Sequence, residues 1–208
     1  MSDHSSSSLG ASSLISTAVA EKANIVADFE LDCEQLLALA VGILPDKQGG
    51  NEVLSISTLF FAAVEWGLKP NEAPPLEIVK LADRVISSRK KQYNEIRSEF
   101  FSSGSNVDLD TNQAYLLSFK LSKNFSLALQ KAARSSSRIT AGTLMTAVLR
   151  HAGSNSYSGA VFTRRLKKLG IQAAELEEIL VTAGQDQDES LEQRNSDCLL
   201  YTSPSPRD

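Results

Sequence analysis

The chain has 208 residues, 42% hydrophobic and 22% charged, which is enough apolar material for one compact domain with tails. A formal net charge of −4 and an aromatic content of 6% leave no overall footprint for nucleic acid or an anionic membrane, and little material for stacking bases. The longest strongly apolar run, Leu36 to Leu44, falls far short of the roughly 20 residues a bilayer-spanning helix needs.

In chain order, residues 1–24 are rich in Ser and Ala, show no sustained period, and carry no basic region ahead of an apolar stretch. They are expected to be a disordered lead-in and make a poor secretory signal. From Phe29 the pattern turns helical: Leu36, Leu37, Leu39, Ala40 and Ile43 recur at spacings of three and four. Pro45 and Gly49-Gly50 close that helix with a loop. A second helix is predicted from Ser57 to Trp66, with Gly67 in the place of a C-terminal cap. The three prolines between Lys69 and Pro75 exclude helix interior, and Pro75 suits the first turn of the next helix, from Leu76 to Ser98. The polar later part of that helix, Arg89 to Glu99, is expected to project into solvent.

Ser102 to Asn106 reads as a loop, and Asp110 as the N-cap of a helix through Tyr115, Leu116, Phe119 and Leu121. Further helices are predicted at Phe125–Ser135, after a Thr140 cap with Leu144, Ala147 and Val148, at Ala160–Leu169, and at Ala173–Thr182. Gly153 to Gly159 is expected to be a loop, and Gly170 to end the helix before it. No alternation of β-branched residues marks a strand. Residues 185–197 turn polar and acidic, as a linker does. The last eleven residues, Cys198 to Asp208, read as the translation of a transposase-type sequencing adapter. On that reading Cys198 is no natural residue, and the natural chain is expected to continue beyond Asp197. Two cysteines, Cys33 and Cys198, are too few for a disulfide framework and fit a reducing cytoplasm.

The most informative feature is an internal repeat. Leu54-Ser-Ile-Ser-Thr-Leu59-Phe-Phe-Ala62 lies without a gap over Ile139-Thr-Ala-Gly-Thr-Leu144-Met-Thr-Ala147. Each copy follows a short helix of similar pattern, Cys33 to Ile43 and Phe125 to Arg134. A helical hairpin of this kind cannot bury its apolar face alone, so two copies are expected to share one core. The leading aliphatic residue should plug that core, and Leu and Ala three residues apart should share a helix face.

Phe125 to Ala133, then Ile139 to Leu149, and the closing Leu166-Lys-Lys-Leu169-Gly170-Ile171 resemble the repeat of the N-terminal domain of Clp-type AAA+ unfoldases. The first copy, about 29–67, is a looser match than the second, about 125–180. Gly142-Thr143-Leu144 stands where the family usually has a His-Leu-Leu step, and the connection Leu68 to Asn124 is long. The resemblance implies an all-α domain over 25–184, of about eight helices in two pseudo-symmetric repeats. It further implies a module that binds substrate or adaptor proteins and presents them to a downstream AAA+ engine, in a parent expected to be a homo-oligomer through further domains. The alternatives are an interaction or sensor module fused to a protease or signalling effector, and a free-standing helical regulator.

No residue set points to catalysis, a cofactor or a metal. His4 and His151 have no ligand partner at zinc spacing, and His151 is expected at a helix end on the surface, where an imidazolium complements the dipole. Cys33 lacks a neighbouring base and reads as a buried small hydrophobe. The Gly/Ser stretch Gly153–Gly159 lacks the lysine of a phosphate loop. Candidate protein-binding residues are the aromatics Phe60, Phe61 and Trp66 and the basic cluster Arg164, Arg165, Lys167 and Lys168. Two readings stand for the aromatics: core packing, or one of them lining a groove between the repeats. For the basic cluster they are a solvated helix face flanking Phe162, Leu166 and Leu169, or docking to an acidic partner segment.

Overall fold

The computed structural model describes residues 5–44, 53–100, 119–152 and 157–184, with side chains at 12–44, 53–98, 119–152 and 160–184. Eight α-helices occur among them: α1 (Ser5–Ala23), α2 (Leu31–Gly42), α3 (Ile56–Gly67), α4 (Leu76–Phe100), α5 (Lys123–Ser135), α6 (Ala141–Ala152), α7 (Tyr157–Lys168) and α8 (173–184). The fold is all-α, as the resemblance implies. Four two-residue strands, which no alternation signals, precede helices: β1 (Asp28–Phe29), β2 (Val53–Leu54), β3 (Lys120–Leu121) and β4 (Arg138–Ile139).

These strands show how the two copies are joined. β1 leads into α2 and β2 into α3, while β3 leads into α5 and β4 into α6. β1 pairs in parallel with β4, and β2 with β3. The first strand of each copy therefore pairs with the second strand of the other, as a pseudo-twofold axis between like halves requires. The backbone bonds match across that axis: Glu30 N–H donates to Ile139 O at 3.0 Å, and Ser122 N–H to Leu54 O at 3.0 Å. So do the caps. Ser55 Oγ accepts from Thr58 N–H at 3.2 Å, and Thr140 Oγ1 from Thr143 N–H at 3.1 Å. Leu54 and Ile139, the leading aliphatics, are fully buried, as are Leu59 and Leu144.

Helix α3 is the hub. All its residues but Glu65 are buried, which is the pattern of a helix enclosed on every side. Glu65 accepts from Tyr93 Oη at 2.8 Å and from Arg97 Nε at 2.6 Å, both on α4. Gly67 is the last residue of α3 and not a left-handed cap; the following Leu68 is right-handed. A Cβ at Gly67 would lie 2.5 Å from Ile78 O and 2.6 Å from Ala82 Cβ, so glycine is there to let α4 cross.

Three expectations are corrected. Residues 5–23 of the expected disordered lead-in form a helix, with Ile15, Val19 and Ala23 buried against α2 and α5. Ser16, itself buried, donates to Glu34 Oε1 at 2.8 Å. Small serines let this helix pack closely while hiding its stripe from a hydropathy reading. The later part of α4 does not simply project into solvent: Tyr93 and Ile96 are core residues, brought in after a kink at Arg89 (φ −155°, ψ 73°). At that kink Ser88 Oγ donates to Leu169 O at 2.8 Å. The helix expected to run through Tyr115 and Leu116 falls largely on residues 101–118, outside those described, and at its end Leu121 belongs to β3 and not to a helix. The expected loop Gly153–Gly159 also lies outside the described residues in part; α7 has begun by Tyr157. Gly170, with φ +71°, ends α7 as expected, closing a turn in which Ile171 N–H donates to Leu166 O and Gly170 N–H to Lys167 O.

Candidate protein-binding cleft

Phe60, Phe61 and Trp66 line no open groove: each is 2% exposed or less. Phe60 packs edge-on against Phe162 of α7 at 5.2 Å between ring centres and against Phe61 at 5.7 Å, and Phe61 meets Tyr93 of α4 at 5.8 Å. Trp66 Nε1–H donates to Glu72 O, at 3.4 Å, in the 3₁₀ turn Pro70–Glu72. The physical reason is the enclosure of α3, which has a neighbour on each side for each ring. The core reading of these three residues replaces the groove reading.

The basic cluster divides. Phe162, Leu166 and Leu169 turn inward, while Arg164, Lys167 and Lys168 are exposed. Arg165 is half-buried and donates to Ser57 Oγ at 3.2 Å, tying α7 to the start of α3. Arg164 and Lys168 thus keep the accessibility a docking role needs, whereas Arg165 has a structural engagement.

A cleft of about 760 Å³ opens elsewhere, where the end of α5, one face of α6 and the end of α8 meet. Lys131 and Arg134 reach it from α5, one turn apart, and Arg150 from α6. Thr140, Thr143 and Thr146 along α6, with Ser135, supply hydroxyls, while Ala132, Ala147, Leu180 and Val181 supply apolar surface. No carboxylate lines it. Glu177 of α8 accepts from Arg150 Nε at 2.6 Å and so orients that guanidinium. Val181 is 41% exposed. Thr140 and Thr143 are 3.0 Å apart through their hydroxyls, because they also cap α6. None of the cleft residues is legible as a site in the sequence, since basic residues in the last turns of α5 and α6 also complement the helix dipole.

Beneath the cleft, the start of α6 is held by acids from the other elements. Asp32 Oδ2, on α2, accepts from Ala141 N–H at 3.0 Å and its Oδ1 from Cys33 N–H at 2.7 Å, so one carboxylate caps helices of both copies. Burial pushes its carboxyl up against these hydrogen bonds. Glu77 of α4 is 6% exposed, its Oε2 has no partner, and a Cβ on Gly142 would lie 2.8 Å from its Oε1. Burial, and to a lesser extent the charge on Asp32, raises the Glu77 carboxyl.

His151 is not a surface residue. It is buried, 3.4 Å from Lys131 Nζ and 3.5 Å from Asn124 Oδ1, and burial and the ammonium push its imidazole down, away from the cation expected at the helix end. It occupies the position that Trp66 has in the first copy, facing inward in both. Cys33 is fully buried and its thiol is pushed up by burial. Among the described residues no three His, Cys, Asp or Glu side chains are grouped to hold a metal ion, and no helix is long and apolar enough to cross a membrane. Comparison with protein-family models, with curated proteins and with solved structures returned no match.

Proposed function

We propose that this chain is a protein-binding module, which recruits substrate or adaptor proteins for a downstream AAA+ unfoldase in the manner the Clp resemblance implies. The observation that supports this reading is the crossed pairing of β1 with β4 and β2 with β3, which fuses two like hairpins into one body. It agrees with the double repeat that the sequence resemblance rests on, and it leaves the outer faces of the hairpins, including the cleft of α5, α6 and α8, available to a partner. Binding is reversible burial of short partner segments against a rigid scaffold, with charged rims setting selectivity. The module itself performs no chemistry on this reading, and it works in a reducing cytoplasm, where the buried Cys33 stays a thiol.

The test is direct titration of the full chain with a permanently unfolded polypeptide of near-zero net charge. Saturable binding with a dissociation constant on the order of micromolar is expected. Absence of saturable binding up to roughly a hundredfold above that range rejects the reading.

A further inference from the structure

We infer that the cleft between α5, α6 and α8 is a docking site for acidic peptide segments that carry an aliphatic residue beside the carboxylate; this rests on the protein-binding reading above. Three features carry it. The chain as a whole is negative, at −4, yet Lys131, Arg134 and Arg150 line this one concavity and no acid does. Arg150 is paired with Glu177 and Lys131 Nζ lies 3.4 Å from His151 Nδ1, which leaves Arg134 as the cation without such a partner among the described residues. Local sign reversal in an acidic chain selects an anionic visitor. The cations differ in kind: Arg150 is already oriented by Glu177, whereas Arg134 is exposed. A guanidinium fork takes a carboxylate with two parallel hydrogen bonds, which gives direction as well as strength.

The aliphatic requirement comes from the apolar part of the lining. Leu180 is buried but Val181, next to it, is 41% exposed, and Ala147 of α6 is half-buried. A side chain laid against Val181 and Ala147 would remove that apolar surface from water while its neighbouring carboxylate reaches the bases. The volume, about 760 Å³, is that of a site for a few residues and not for a folded domain. The backbone amides at the start of α6 are partly spoken for, with Ala141 N–H on Asp32 and Thr143 N–H on Thr140. Side-chain cations, more than the helix N-terminus, therefore supply the charge recognition, and the apolar lining beside them favours a peptide over free phosphate.

The experiment uses the full chain and a short fluorescent peptide with Asp and Glu around a Leu, against its counterpart with Asn and Gln. Anisotropy is expected to show the acidic peptide binding at least ~10-fold tighter at low salt, with the advantage shrinking as salt rises. Arg134→Glu is expected to abolish most of that advantage, roughly 10-fold, at an unchanged melting temperature, because the residue is exposed. Amide signals of Lys131–Ser135 and Thr143–Arg150 should move on titration. Equal affinity for the two peptides, an Arg134→Glu variant that binds as before, displacement by inorganic phosphate at equal concentration, or no movement of those signals each overturns the inference. So does movement of the same signals on neutralising Asp186, Asp188, Glu189 and Glu192 without added peptide, which would make the chain's own acidic stretch the occupant. If the uncharged unfolded polypeptide still binds while the acidic peptide does not, this inference fails and the wider protein-binding reading stands; if neither binds, both fail.

Discussion

Glu77 is the residue whose environment suits it least. Its Oε2 is buried without a partner and its ionised form is penalised by burial. The folded state therefore binds its proton more tightly than the unfolded chain, whose carboxyl titrates near 4.5. Stability from this group is gained as pH falls through the raised folded value towards 4.5 and is absent at neutral pH. Glu77→Gln removes the charge at nearly constant shape and is expected to raise neutral-pH stability by roughly 1 kcal/mol, an advantage that fades on acidification. Urea midpoints measured from pH 8 to pH 4.5 check it. His151 pulls the other way: its folded value is depressed, so the unfolded chain takes up the proton first as pH falls below 6.5. His151→Leu should flatten the loss of stability that wild type shows over that window, in the same urea series. Gly142 completes the group. Gly142→Ala would set its Cβ 2.8 Å from Glu77 Oε1 and is expected to cost about 1–3 kcal/mol, less when Glu77 is also replaced by Ala.

At the scale of elements, the sequence was readable where periodicity was strong. Helices α2, α3, α5 and α6 lie within a few residues of their expected places because each sets a dense apolar stripe at spacings of three and four. Helix α1 escaped because Ser12 and Ser16 sit among its buried positions and interrupt the apolar stripe of Ile15, Val19 and Ala23. The distinction between a helix and a mobile lead-in has a measurable consequence. Ile15→Ala would be silent in a tail but is expected to cost about 2–4 kcal/mol in a helix packed on α2 and α5, read as a drop in the denaturation midpoint. The two-residue strands are too short to alternate, which is why composition did not reveal them. The cleft was illegible for another reason. Its bases belong to three separated positions, Lys131, Arg134 and Arg150, each of which suffices as an ordinary residue near the end of a helix, and only the packing of α5 on α6, closed by α8, brings them to one concavity. The aromatics erred in the opposite direction. Phe60, Phe61 and Trp66 are conspicuous in a chain with few rings, but a helix enclosed by its neighbours buries all three.

For the whole molecule, the decisive question is whether the two copies are halves of one cooperative body or beads that merely touch. The crossed strand pairs, Gln130 Nε2 donating to Ala23 O at 2.9 Å, and the Asp32 carboxylate capping both α2 and α6 leave neither hairpin with its backbone bonds satisfied alone. A repeat that depends on its neighbour in this way should unfold with it. The chain has a single tryptophan, Trp66, and it lies in the first copy. Its fluorescence therefore reports that copy, while far-UV dichroism reports all the helices. The cap residue Thr140 lies in the second copy, and Thr140→Ala removes the acceptor for Thr143 N–H at an expected cost of about 1 kcal/mol. In a single cooperative body, that distant substitution shifts the Trp66 fluorescence midpoint by as much as the dichroism midpoint, and the two probes trace one curve. Were the copies independent, fluorescence would keep its wild-type midpoint while dichroism broke into two steps, and the shared-core architecture on which the binding proposal stands would be refuted.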